Sequence, residues 1–235
     1  MNIIPVLDIK AGEVVHARGG DRNRYAPIRT PLSRTSDPVD VTRGLLQLHP
    51  FAALYIADLD AIMGRGRNHD SICALRHAFP SLDVWIDDAS STPQAVARLA
   101  AMGNVRPVVG SESLERAADF ERCREVAGEA AILSLDFKGS GFLGPDALLE
   151  HPVRWPRTVI AMTLGAVGAQ SGPDLARVRQ VKASKTDAEI IAAGGVRDLS
   201  DLAALADAGA AGVLVATALH SGALSPADIA AAAGL

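Results

Sequence analysis

The sequence predicts a (β/α)8 barrel, and three observations carry that expectation. Short, nearly continuous apolar runs alternate with longer amphipathic stretches along 235 residues. About eight such units fit that length, with no linker or low-complexity segment between them. A short phrase, VLDIKAG at 6–12, returns as SLDFKGS at 134–140, about half the chain away. Parallel strands buried on both faces read as unbroken apolar runs, and repeated βα units imply a parallel sheet. An open doubly wound sheet is the alternative, but no G-x-G-x-x-G follows the first strand.

The strands are expected at 3–8, 52–58, 83–88, 105–110, 131–137, 158–163, 189–194 and 211–216. Helices follow at 38–48, 69–79, 93–102, 113–127, 173–183, 199–208 and 225–233. Asp37-Pro38, Thr92-Pro93, Gly172-Pro173 and Ser225-Pro226 place proline at or near a first helical position. The phrase aligns Asp8 with Asp136, an offset of 128 residues, whereas VVGSESL at 108–114 aligns with LVATALH at 214–220, an offset of 106. The second half is therefore shorter. The deficit falls near 141–158, where Pro145, Pro152 and Pro156 leave room for a helical turn or two. The fifth helix is expected to be truncated, in one domain spanning 1–235.

The chain is 49% hydrophobic and 21% charged, with net charge −4. That balance gives no general attraction to nucleic acid or to an acidic membrane surface. No apolar run reaches the ~18 residues of a membrane span, and MNIIPVLDIK lacks the basic and apolar regions of a signal peptide. A cytoplasmic protein is expected. Cys73 and Cys123 both fall in helical patterns and read as reduced thiols.

Functional groups of such a barrel gather at the C-terminal ends of its strands. Asp8, Asp58, Asp60, Asp87, Asp88, Asp136, Lys138 and Thr163 map to that end. A carboxylate there needs a partner or water; a cap or loop hydrogen bond is the ordinary alternative to function for Asp58, Asp87 and Asp88. The repeated Asp8 and Asp136 are expected to face a common mouth as an acid–base pair. Leu7, Ile9, Leu135 and Phe137 should then point outward to the helices. Lys10 and Lys138 share the repeat and could pair with carboxylates or form a Schiff base. AAGGVRDLSDL at 192–202 and VATALHSG at 215–222 have the glycines and helix starts of a phosphate site. The pseudo-equivalent turn, WIDDASS at 85–91, carries two carboxylates instead. The stretch at 16–35 is basic, with Arg18, Arg22, Arg24, Arg29 and Arg34 beside Tyr25, and suits an anion clamp or a solvated loop. A second basic loop reads GRGR at 64–67. No metal motif, nucleophile elbow or Walker loop occurs; Cys73 and His77 at i, i+4 on an outer helix make a poor ligand pair.

IIPVLDIKAGEVV, ADLDAIMGRGRN, LSLDFKGSGFLG, SGPDLARV and IAAGGVRDLSDLAALADAGAAGVLVATAL together resemble the HisA/HisF family, the ProFAR isomerase of histidine biosynthesis and its sister cyclase. The resemblance covers nearly the whole chain and is nearer the isomerase. It implies a barrel with twofold internal repetition and a cofactor-free Amadori rearrangement of an aminoaldose phosphate to an aminoketose phosphate. It implies Asp8 as general base, Asp136 as the fifth-strand aspartate, and Gly194, Gly195, Ala216 and Thr217 around one substrate phosphate. Lys10, Arg22, Tyr25, Asp58, Lys138 and Thr163 are the further candidates for substrate binding. Three features depart from the family pattern: Asp87-Asp88-Ala89-Ser90 replaces a Gly-rich phosphate loop, Val167-Gly168 stands where a general acid is expected, and helix five is short. The chain therefore resembles a diverged paralogue. Relatives with an R-x-x-Y-x-P stretch like Arg22–Pro27 occur in methanogens and in tetrahydromethanopterin-using methylotrophs. The expected function is an isomerase or lyase acting on a small phosphorylated, sugar-phosphate-like substrate. Genuine ProFAR isomerase activity and a non-catalytic phosphometabolite-binding barrel are the alternatives. No cofactor, metal, nucleic acid or membrane partner is expected, and no partner protein is specified.

Overall fold

Eight parallel strands close into a barrel: β1 (Asn2–Lys10), β2 (Ala53–Asp58), β3 (Asp83–Asp87), β4 (Val105–Gly110), β5 (Ile132–Lys138), β6 (Thr158–Thr163), β7 (Glu189–Ala193) and β8 (Gly212–Val215). Each strand pairs with its neighbours in sequence, and β1 pairs with β8 from Asn2↔Gly212 to Pro5↔Val215. The computed structural model describes residues 1–17, 21–169 and 171–235. Among these, no helix is long and apolar enough to cross a membrane.

Alternation along each strand sorts the apolar residues into two layers. Ile4, Trp85, Val108, Ile132, Ile160 and Ile191 fill the barrel interior. Leu7, Ile9, Leu135 and Phe137 belong to the layer under the helices, as the period-two pattern requires.

The repeated phrase encodes more than a strand end. β1 runs on to Lys10 and folds back through a two-residue turn, Ala11 (φ +52°) and Gly12 (φ +81°), onto an antiparallel strand at Glu13–His16. Positive φ at both central residues is the hairpin geometry matched to strand twist. β5 does the same: Lys138 pairs with Gly141 across a turn containing Gly139 at φ +59°. The small residues after each lysine are thus turn residues. The segment after β1 begins as a hairpin rather than as the open loop its composition suggested.

The helices of the outer layer are α1 (Pro38–Leu48), α2 (His69–Ala78), α3 (Pro93–Ala100), α4 (Ala117–Ala127), α5 (Ala147–Glu150), α6 (Leu175–Ser184), α7 (Leu199–Asp207) and α8 (Pro226–Ala232), and single helical turns follow β2 at Leu59–Ile62 and β8 at Thr217–His220. Pro38, Pro93 and Pro226 begin their helices, after the capping side chains of Asp37, Thr92 and Ser225. Two starts differ from expectation. α6 begins at Leu175 because Asp174, not Gly172, caps it by accepting from the Arg177 N–H. α4 begins at Ala117 because Asp119 reaches back to the Arg116 N–H and fixes the first turn there. The fifth helix is the expected remnant, four residues followed by a 3₁₀ turn at Pro152–Arg154. Leu148 and Trp155 are buried in the gap, and the Trp155 indole N–H donates to the Leu148 carbonyl at 2.7 Å.

α1 packs tightly on the turn at 30–33, which leads from the β1 hairpin back to the helix. A Cβ on Gly44 would lie 1.9 Å from the Leu32 carbonyl oxygen. Helix propensity alone predicts that Gly44→Ala stabilises α1 by roughly 1 kcal/mol. The overlap reverses the sign, and urea unfolding should show a loss of roughly 1–3 kcal/mol.

Candidate active site

The C-terminal ends of the strands open into one cavity of about 480 Å³, a volume typical of small-molecule sites. Asp8 and Asp136, from opposite strands β1 and β5, both line it. Asp8 is partly exposed to the cavity, and no side chain or backbone N–H of the described residues donates to its carboxylate. Burial pushes it up to about 7 against the pull of Arg22, with the Asp87 charge adding to the rise. Asp136 is 4% exposed and well held. Ser134 Oγ donates to its Oδ1 at 2.7 Å, and the Glu112 N–H donates to its Oδ2 at 3.1 Å. Burial and the Asp87 charge still lift it to about 7. Ser111 Oγ lies 2.7 Å from the Leu143 carbonyl and 3.3 Å from Asp136 Oδ2. Its single hydrogen goes to the shorter contact, so a protonated Asp136 is the natural donor in the longer one.

A third carboxylate joins them. Asp87, at the end of β3, accepts the Tyr55 hydroxyl at 3.0 Å and the Ala89 N–H at 3.2 Å. Burial raises Asp87 to about 6 and the Tyr55 phenol well above its usual range. Gly110 lies between two of these acids: a Cβ there would be 3.2 Å from Asp136 Oδ2 and 4.0 Å from Asp87 Oδ2. Arg22, from the segment after β1, pairs with Glu112 after β4 at 2.7 Å, and both side chains line the cavity.

The opposite wall is nearly uncharged. Gly194, Gly195, Ala216 and Thr217 line it, with φ of +104° and +89° at the two glycines. A Cβ on Gly195 would lie 2.1 Å from the Gly172 carbonyl oxygen, and one on Gly194 would lie 2.7 Å from that of Thr163. A bulky residue at Gly195 therefore displaces the β6 loop as well.

Tyr25 and Lys138 also reach the cavity, so nine of the twelve candidate residues meet there. Lys10, Asp58 and Thr163 do not line it. Lys10 has its Nζ on the Arg22 carbonyl at 3.1 Å. Asp58 and Thr163 follow the outward parity of Ile56 and Ala161. Asp58 takes the Ala61 and Asn68 N–H groups and the Asn68 amide, which ties the β2 loop to the β1 hairpin through the Gly12 N–H on Asn68 Oδ1. Arg24, Arg29 and Arg34 are exposed away from the cavity, and Arg18 lies outside the described residues. Arg65 and Arg67 serve neighbouring loops through Asn23 and Asp88. Cys73 meets His69, 3.5 Å from its Nε2, rather than His77. Sequence reasoning missed Tyr55, which reads as core, and Glu112; the inward parity Tyr55 shares with Ala57 was the available signal.

The histidine-biosynthesis protein family model matches residues 2–225. The chain belongs to that family. An uncharacterized protein of Methanocaldococcus jannaschii is 30% identical, covering 97% of each chain. The 1-(5-phosphoribosyl)-5-((5-phosphoribosylamino)methylideneamino)imidazole-4-carboxamide isomerases of Lactiplantibacillus plantarum and Myxococcus xanthus are 28% and 29% identical, covering 97% and 98% of this chain and 98% of theirs. Within this family scaffold, the β6 loop places Val167 and Gly168 at the cavity and no acid from 164–168.

The two facing aspartates should respond differently to neutralisation. Asp8, raised to about 7 by burial, binds its proton more tightly folded than unfolded. Its ionisation therefore costs stability progressively from about pH 4 to pH 7. Asp8→Asn should raise the thermal midpoint, more at pH 8 than at pH 5; a gain larger at pH 5 would contradict this assignment. Asp136→Asn sets an amide against existing donors, so it should cost roughly 1–3 kcal/mol rather than be neutral.

Proposed function

We propose that this chain is an aldose–ketose-type isomerase of a small phosphorylated substrate, with Asp8 as general base and Asp136 as general acid. The observation that carries the reading is the placement of two aspartates, both lifted to about 7, on opposite strands of one cavity whose far wall is glycine-rich and nearly uncharged. The substrate phosphate sits at Gly194–Gly195 and Ala216–Thr217, which line the cavity on the side away from the carboxylates. Phosphate binding there fixes the reacting carbons between the carboxylates. Protonated Asp136 supplies a proton to the carbonyl oxygen while ionised Asp8 takes one from the adjacent carbon, giving an enediol. Asp8 then returns its proton to the former carbonyl carbon and the neighbouring hydroxyl gives its proton back to Asp136, leaving the ketose and both acids as they began. The product keeps every atom of the substrate. A lyase outcome would use the same base. Family membership and isomerase-named relatives support this class of reaction.

Turnover should follow a bell-shaped pH profile centred near 7, because the base is active above its pKa and the acid below its own. Asp8→Asn should cost on the order of 10²–10⁴-fold in kcat, and Asp136→Asn should remove the alkaline limb. A silent Asp8→Asn would leave a binding barrel without catalysis. ProFAR isomerase activity should be low, since the β6 loop offers no acid from 164–168 and the β3 turn is acidic. Activity within about tenfold of a family isomerase would contradict this.

A further inference from the structure

The two halves of the barrel end equivalent strands in opposite ways. β7 ends in Gly194–Gly195, and its counterpart β3 ends in Asp87-Asp88-Ala89-Ser90. The β3 turn keeps a glycine-like backbone: Ala89 is held at φ +57°, which few non-glycine residues adopt. The N–H groups of Ala89 and Ser90, however, are already taken. The Ala89 N–H goes to Asp87 Oδ1 at 3.2 Å, and the Ser90 N–H goes to Asp88 Oδ1 at 3.1 Å. Asp88 is also ion-paired with Arg67. The chain's own carboxylates thus occupy the place where the β3 turn could hold a second anion.

The neighbouring cavity wall is rich in acceptors and poor in donors. Asp8, Asp87, Glu112 and Asp136 line it, against Arg22 and Lys138. Arg22 is engaged by Glu112, and the Tyr55 hydroxyl hydrogen is spent on Asp87. Asp8 receives no donor from the described residues. A ligand group completes such a wall if it brings N–H donors and positive charge; a phosphate there would face several carboxylates at once. We propose that the substrate is an aminated monophosphate, with one phosphate at the β7–β8 glycine wall and a protonated amine at Asp8, Asp87 and Glu112. This rests on the phosphate-site reading of the β7–β8 wall.

Calorimetric titration of the purified protein at pH 7.5 tests it with four probes: inorganic phosphate, glucosamine 6-phosphate, glucose 6-phosphate and fructose 1,6-bisphosphate. Glucosamine 6-phosphate should bind about tenfold tighter than glucose 6-phosphate, and the bisphosphate should be the weakest of the three sugars. Asp87→Asn and, separately, Glu112→Gln should shrink the preference for the amine while leaving inorganic phosphate binding unchanged. Glu112→Gln keeps the test open if loss of the Asp87 charge perturbs folding. A bisphosphate that binds as tightly as the amino sugar, or an amino sugar no better than glucose 6-phosphate, overturns the inference and leaves the phosphate wall standing. Failure of all four probes to bind overturns the phosphate wall and the inference with it.

Discussion

The closure of β1 on β8 is the constraint from which the rest follows. Four register pairs join the first strand to the last, and Gly212 makes the approach possible: a Cβ there would lie 2.9 Å from the Asn2 carbonyl oxygen and 3.0 Å from Ile191 Cδ1. A closed sheet has no free edge and one interior. Strand ends far apart in sequence therefore converge on a single cavity. Asp8 and Asp136 face each other because equivalent strands of a closed barrel lie opposite one another.

Closure also sets the electrostatics. The inner apolar layer below the cavity floor excludes water from the strand ends, so burial is the leading cause of the rise at Asp8, Asp87 and Asp136. Three carboxylates so placed are costly, and the stability that tolerates them resides elsewhere, in the two apolar layers and the capped helices. The protein moderates the cost at each acid by different means. Asp136 has a serine and a backbone N–H, Asp87 has the Tyr55 hydroxyl, and Asp8, among the described residues, has the field of Arg22 and no donor. The acid with the least internal support is the one best placed to react with something from outside.

The loops divide their labour along the same lines. Asn68 and Asp58 bind the β1 hairpin to the β2 loop, and Arg65 and Arg67 extend the tie to Asn23 and Asp88. These contacts use polar residues that resemble site residues in sequence. They hold the first-half loops as one rim, over which Arg22 reaches Glu112. The second-half wall is held differently, by backbone packed on backbone at Gly194 and Gly195.

The sequence by itself determined the barrel, its strand positions, the short fifth helix and the pairing of Asp8 with Asp136. Those features follow from local periodicity, from prolines and from a repeat, all of which are written along the chain. It also contained, unread, the parity that turns Asp58 and Thr163 away from the cavity and Tyr55 toward it. Tertiary structure alone decided which acid has a partner among the described residues and which does not. Tyr55 meets Asp87, Glu112 meets Arg22, and Gly110 separates Asp87 from Asp136 only because neighbouring strands are brought into register. A carboxylate's role depends on how much water and how many donors surround it, and these are properties of the closed barrel rather than of any stretch of sequence.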